Sequence, residues 1–212
     1  MSFGIGGFGV SIIGRSLNQT TSRLRQNLEA LATGRRINRA SDDASGFALA
    51  RSLETASQSL TQANQNIGMA QGMLSTAEGS YGNQIQGLQR MRELALQAAN
   101  GTISNSDRTN LNAEFQQQLQ QVDDVAQNTN FAGQNLIDGT MSEANGGVAV
   151  QTGGEAGDST TISLDGTRAS DLGLSGVDIS TQENAADALE TIDNAINQVV
   201  AAQAKAGAQT NT

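Results

Sequence analysis

Residues Leu53 to Ala98 read LETASQSLTQANQNIGMAQGMLSTAEGSYGNQIQGLQRMRELALQA. Every seventh residue from the first is Leu53, Leu60, Ile67, Leu74, Tyr81, Leu88 and Ala95. Three places further on stand Ala56, Ala63, Ala70, Ala77, Gln84, Met91 and Ala98. Two apolar places in seven, held in one register, make a narrow helical seam that is buried only against other helices, and alanine on its second line allows them to come close. At ~1.5 Å per residue a helix over about 51–100 would be a rod of roughly 70 Å, which needs helices packed beside it.

The flanking sequence supplies them. Asn100-Gly101-Thr102 is a stop, because glycine tolerates the left-handed conformation that ends helices, and Ser104-Asn105-Ser106-Asp107 is a polar restart with a Ser-x-x-Asp capping pattern. A second helix is expected over about 106–128, with Leu111, Phe115, Leu119, Val122 and Val125 as its stripe. A third is expected over 181–212, opened by the capping box Ser180-Thr181-Gln182-Glu183 and striped by Ala185, Leu189, Ile192, Ile196, Val199 and Ala206. Over about 130–180 the composition turns to Gly, Ser, Thr and Asp. Val148 to Thr152 and Thr160 to Leu164 alternate as short strands about a turn at 153–158. The expected fold is mainly α: long heptad-patterned helices in an elongated coiled-coil-like bundle with a small β-hairpin region.

The first 45 residues carry a seam of their own, with Val10, Leu17, Leu24 and Leu31 at strict sevenths and Ile13 and Leu28 beside them. Nothing else in the chain pairs with it. Isolated helices of this size are marginal in water, so fraying is expected until another segment or subunit covers the seam.

The chain has 212 residues, 37% of them apolar and 3% aromatic, enough for a helical domain with an appendage but not for a large compact core. It contains no Pro, which suits long helices. With no Cys and no His it lacks thiol chemistry, the common zinc ligands and the usual nucleophile and base pairs, so neither an enzyme nor a cofactor is expected. Residues 1–51 hold seven Arg against Glu29, Asp42 and Asp43, whereas the remainder has five bases against 18 acids. The arginines lie among heptad positions without aromatic stacking partners, which reads as a solvated face and not as a nucleic-acid site. No run is long enough to span a membrane, and the apolar start has neither a preceding basic residue nor a cleavage site. Asp138-Gly139-Thr140 and Asp165-Gly166-Thr167 repeat a tripeptide found in calcium loops, but the further ligands are absent and turn chemistry is the expectation.

Three stretches resemble bacterial flagellin: Leu31-Ala-Thr-Gly-Arg-Arg-Ile-Asn-Arg-Ala-Ser-Asp-Asp-Ala-Ser-Gly46, Leu88-Gln-Arg-Met-Arg-Glu-Leu-Ala-Leu-Gln-Ala-Ala-Asn-Gly-Thr102 and Leu172-Gly-Leu-Ser-Gly-Val-Asp-Ile-Ser-Thr-Gln-Glu-Asn-Ala185. The resemblance implies a structural subunit of the extracellular flagellar filament. Residues 1–45 would be the inner-layer arm and connector, and 46–212 the rod domain, without outer variable domains. It implies self-assembly, passage through the flagellar export machinery without a cleaved signal peptide, and contacts with cap and junction proteins. By the family pattern the chain stops in mid-helix, so a shortened or fragmentary flagellin is the expectation. The hook-filament junction protein and a trimmed receptor-binding module are the alternatives.

Three sets of residues follow. The N-terminal assembly seam is Val10, Ile13, Leu17, Leu24, Leu28 and Leu31. The connector is Arg35, Arg36, Arg39, Asp42, Asp43 and Gly46, for which helix-end charges around a glycine break are an equal account. In the rod register Arg90 and Gln97 share a face off the seam with Leu94, which is then expected to be partly exposed. From the residues alone the plainer reading is that Leu94 packs on a neighbouring helix and that Arg90 and Glu93 form an ordinary surface pair. The resemblance points the other way. It implies that Gln89, Arg90, Glu93, Leu94 and Gln97, with Glu114 on the next helix, form a surface buried between protofilaments and read by Toll-like receptor 5. On that reading Leu94→Asp would preserve the fold.

Overall fold

The structure, a computed structural model, describes residues 6–211, and side chains from residue 12 onward. The chain divides into two units, residues 1–59 and 60–212.

In the first unit α1 (Gly6–Thr33) runs as one helix and ends where Gly34 takes a left-handed φ of 66°. With no proline in the segment, every turn of it can close its own backbone bonds. A loop then folds around one carboxylate. Asp42 accepts the Asn38 and Arg39 amides at 3.3 and 3.1 Å, and Asp43 accepts the Gly46 amide at 2.9 Å, capping the first turn of α2 (Ala44–Ala98). This cap starts α2 well before the expected position near residue 51. Gly46 is no break. It lies in the first turn of α2, where a Cβ would run into Asp43 and the Ile37 side chain. Arg51 stacks 5.2 Å above the Phe47 ring and pairs with Glu54 at 2.8 Å.

In the second unit the rest of α2 packs with α3 (Asn105–Asn128) and α4 (Gln182–Thr210). Ser104 caps α3 by accepting the Asp107 amide, as its Ser-x-x-Asp pattern requires. At α4 the expected cap is displaced by one residue: Thr181 accepts the Asn184 amide, because the Ser180 hydroxyl is taken by the Asp178 carboxylate at 2.7 Å. Along α4 the buried residues are Ala185, Ala188, Ile192, Ala195, Val199, Ala202 and Ala206, an alternation of three and four that faces the α2 seam. On α2 the seam is buried without interruption from Leu74 to Ala98, Met73 and Leu94 widening it by one flanking place. Towards the N-terminus it opens: Ala63 is buried and Ile67 half-buried, but Leu60 and Leu53 are 55% and 62% exposed.

Between α3 and α4 lie two small antiparallel hairpins. β1 (Asn130–Phe131) and β2 (Gln134–Asn135) turn through Ala132 and Gly133, both at positive φ. β3 (Val148–Gln151) pairs with β4 (Ser159–Ile162) in the register Val148 to Ile162 and Gln151 to Ser159. The connecting segment contributes Leu136, Ile137, Leu164, Leu172, Leu174 and Ile179 to the core. The two Asp-Gly-Thr tripeptides meet at their glycines, where a Cβ on Gly166 would come within 2.7 Å of the Gly139 Cα. Their carboxylates hold the turns together: Asp138 accepts the Thr140 amide at 2.9 Å and pairs with Arg168, and Asp165 pairs with Lys205. Tyr81, an aromatic in the seam, is buried with its hydroxyl donating to the Asp165 carbonyl at 2.8 Å. Burial and the nearby Asp165 charge push its phenol far above the ordinary value.

Candidate functional site

The face that carries Arg90 is positioned by the antiparallel pairing of α2 with α3. Its turn is held by Arg108, 5% exposed, which donates to the Ala98 carbonyl at 2.8 Å, the Asn100 carbonyl at 2.9 Å and the Asn105 side chain at 2.9 Å. The last carbonyls of α2, which have no partner within the helix, are thus met by a buried cation. Farther from the turn Gln84, on the seam, donates to the Val122 carbonyl at 3.0 Å and the Thr167 carbonyl at 3.1 Å, locking α2, α3 and the 165–168 loop at one register.

That register brings Arg90 against Glu114. The guanidinium donates to Glu114 through Nη2 at 2.7 Å and Nε at 3.2 Å, and to Glu93 through Nη1 at 3.0 Å. The hydrogen bonds from Glu114 and then Glu93 raise the Arg90 pKa further above its ordinary value. Gln89 and Gln97 are exposed beside this bridge. The predicted residues Arg90, Glu93 and Glu114 are therefore in contact, and the two glutamines share their face.

Leu94 is not part of the exposed face. It is 1% exposed and packed in the core with Met91 and Phe115 among its members, because burial on α2 extends one place beyond the two-line seam. The exposed leucine nearby is Leu96, at 48%. On the α4 side of α2 an ion pair that the pattern did not single out joins Arg92 to Asp193, at 2.6 Å. Arg108 was also missed. The signal was in the sequence: Arg108, Phe115 and Val122 stand at strict sevenths, and a cation at an apolar place calls for buried acceptors.

The connector's two charge clusters do not pair with one another. Arg39 pairs with Glu29 at 2.9 Å and Arg35 with Glu54 at 3.4 Å, while Asp42 and Asp43 accept backbone amides. On α1 the side chains of Ile13, Leu17, Leu24, Leu28 and Leu31 are between 56% and 80% exposed, and Val10 lies outside the residues whose side chains are described.

A family model for the N-terminal helical region of bacterial flagellin matches residues 10–142, well over half of the chain. The chain belongs to the bacterial flagellin family. A flagellin of Listeria innocua is 32% identical over 204 residues, 91% of this chain and 71% of the relative. Flagellin E of Vibrio cholerae is 36% identical over 162 residues, 76% of this chain but only 42% of its own length. Among solved structures, that of Bacillus cereus flagellin superposes with a TM-score of 0.60 at 29% identity, covering 69% of this chain and 83% of the other. A flagellar hook-associated protein structure from Vibrio parahaemolyticus reaches 0.64 over 82% of this chain and 90% of its own, at 18% identity, a likeness of fold alone. Flagellins are structural proteins of the flagellar filament and not enzymes, and this member lacks the outer domain.

Proposed function

We propose that this chain polymerises into the flagellar filament for motility through the α1 seam, and that the Arg90 face is a second protein-binding surface. The observation that carries the first part is the contrast in burial within one repeat type. Heptad apolar side chains are covered along α2 from Leu74 onward and along α4 but bare along α1, where six of the described apolar side chains, Ile12 among them, are more than half exposed. Each such side chain gains about 1.5–3 kcal/mol on full burial, so helix-to-helix association with further copies is the natural way to cover them.

Export through the flagellar apparatus without a cleaved signal, extracellular placement in the filament, and contacts with cap and junction proteins go with this reading. Recognition by Toll-like receptor 5 rests on Arg90, Gln97 and Glu114. It does not rest on Leu94, which is already inside the core. We prefer the filament reading to the hook-filament junction one, supported by the Listeria and Vibrio relatives at 32% and 36% identity, which are flagellins. The test is filament formation by Leu17→Asp with Leu24→Asp. Loss of filaments with an unchanged thermal melt of the second unit is the expected result, and normal filaments from the double variant would sink the proposal.

A further inference from the structure

The sequence contains two Asn-Gly pairs, Asn100-Gly101 and Asn145-Gly146. In such a pair the glycine nitrogen can reach the asparagine Cγ unhindered, since glycine carries no side chain. Whether it reacts depends on what holds each atom. At Asn100 the side-chain Oδ1 accepts two donors, the Thr102 amide at 3.1 Å and the Thr102 hydroxyl at 3.0 Å. Its backbone carbonyl, conjugated with the Gly101 nitrogen, accepts the Arg108 guanidinium at 2.9 Å and the Ile103 amide at 3.2 Å. The Gly101 amide itself donates to no acceptor among the described residues, and Asn100 is exposed.

Asn145 has the reverse arrangement. The Gly146 amide is engaged by the Glu143 carbonyl at 3.0 Å, and the Asn145 side chain is tethered through Nδ2 to the Gly139 carbonyl at 2.8 Å. Its nucleophile is occupied, and among the described residues its Oδ1 accepts nothing.

We propose that Asn100 is a self-modifying site, closing on Gly101 to a succinimide that water opens to aspartate or isoaspartate, while Asn145 keeps its amide in the folded protein. Hydroxide removes the Gly101 amide proton, and the resulting anion is stabilised through the Asn100 carbonyl by the Arg108 charge. The nitrogen bonds to Cγ, and the electron pair moves to Oδ1, where the two Thr102 donors hold the oxyanion. The Cγ–Nδ2 bond then breaks, the departing nitrogen takes a proton from water, and ammonia leaves. A second water opens the ring. Cleavage between Cγ and the Gly101 nitrogen gives aspartate, and cleavage of the backbone bond gives isoaspartate with one more methylene in the chain. Either product places a new negative charge beside Arg108 at the C-terminal end of α2, where the helix disfavours it, one turn beyond Gln97.

The test is incubation of the full chain at mildly alkaline pH in heavy-oxygen water, followed by peptide mapping with fragmentation that separates aspartate from isoaspartate. A parallel sample is kept in guanidinium chloride. Labelled carboxylate should form at Asn100 several times faster than at Asn145 in the folded protein, and the two rates should converge on unfolding. Thr102→Val, which keeps the amide donor but loses the hydroxyl, should slow Asn100 several-fold, and Thr102→Ser should restore it. Conversion of Asn145 as fast as Asn100 in the folded protein, a ratio unchanged by denaturant, or a Thr102→Val rate equal to wild type would each overturn the assignment.

Discussion

Leu53 and Leu88 occupy the same place in the same repeat of one helix, yet the first is 62% exposed and the second fully buried. The heptad is therefore a statement of need and not of outcome. It says that a seam must be covered, and the covering comes from elsewhere. In the second unit α3, α4 and the segment connecting them cover α2 in part from Ala63 and without interruption from Leu74 onward. Along α1 and the first turns of α2 no other segment does so among the described residues. The difference teaches where this protein's stability resides and where its capacity for association resides.

The largest effect that separates the two regions is a charge placed in the seam. Leu74→Asp removes a buried leucine and leaves a carboxylate without partners, and should cost at least about 4 kcal/mol, enough to abolish the cooperative thermal melt followed by circular dichroism. Leu94→Asp should do the same, since Leu94 is as deeply buried. Leu53→Asp should change the melt by less than about 0.5 kcal/mol. Equal losses from Leu53→Asp and Leu74→Asp would mean that the first region is covered within the monomer, and the comparison would fail.

Next in size is the buried cation. Arg108→Ala strands the Ala98 carbonyl and takes one of its two donors from the Asn100 carbonyl, and should destabilise the second unit by about 3 kcal/mol in urea unfolding. Arg51→Ala, which breaks an exposed pair with Glu54 in the first unit, should fall within about 0.5 kcal/mol of wild type. Similar losses for both would show that exposure does not divide the two units energetically.

Much of this was legible beforehand. The seam, the three rod helices and the β3–β4 hairpin follow from periods of seven and two, and the Ser104 cap from a local hydrogen bond that its own tetrapeptide encodes. What escaped depended on partners distant in sequence. Leu94 is buried, as the plainer reading of the residues has it. The partly exposed place given it by the two-line register and the resemblance fails because the core also takes Leu172, Leu174 and Ile179 from the connecting segment and so extends beyond a seam between helices. The Thr181 cap slipped by one residue because Asp178 competes for Ser180. Of the two equal accounts of the connector, the one with a glycine break does not hold: Gly46 occupies the first turn of α2, and the close approach of Ile37 that requires a glycine there is a feature of the folded loop. At the Arg90 face the residues came from the resemblance, and the bridge to Glu114 needed the α2–α3 register.

Acid should sharpen the contrast by a smaller amount. Asp178 is held below the ordinary aspartate value of 3.8, first by the hydrogen bond from the Asn184 side chain and then by the Ser180 amide and hydroxyl. At Asp138 burial pushes the carboxyl up, but donation from Thr140 and Asn135 together with the Arg168 charge outweighs it and the net direction is down. A folded pKa below the unfolded one gives stability that is complete above pH 3.8 and is lost as pH falls through the lowered values. The melting temperature of the second unit should therefore fall below pH 3.8, and Asp178→Asn should flatten that decline. A variant whose decline matches wild type would remove Asp178 as its source.

The smallest effect on the fold belongs to the Arg90 face. Arg90→Ala breaks exposed pairs with Glu93 and Glu114 whose side chains remain in water, so the melting temperature should not move. The double variant Arg90→Glu with Glu114→Arg keeps opposite charges in contact but reverses them towards any partner, and it should retain the monomer's melt as well. If the face binds protein, both variants should nonetheless weaken filament assembly or Toll-like receptor 5 reporter signalling. A reversed pair that assembles and signals like wild type would leave this bridge as an ordinary surface contact and place the association of the chain wholly on the bare seam of α1.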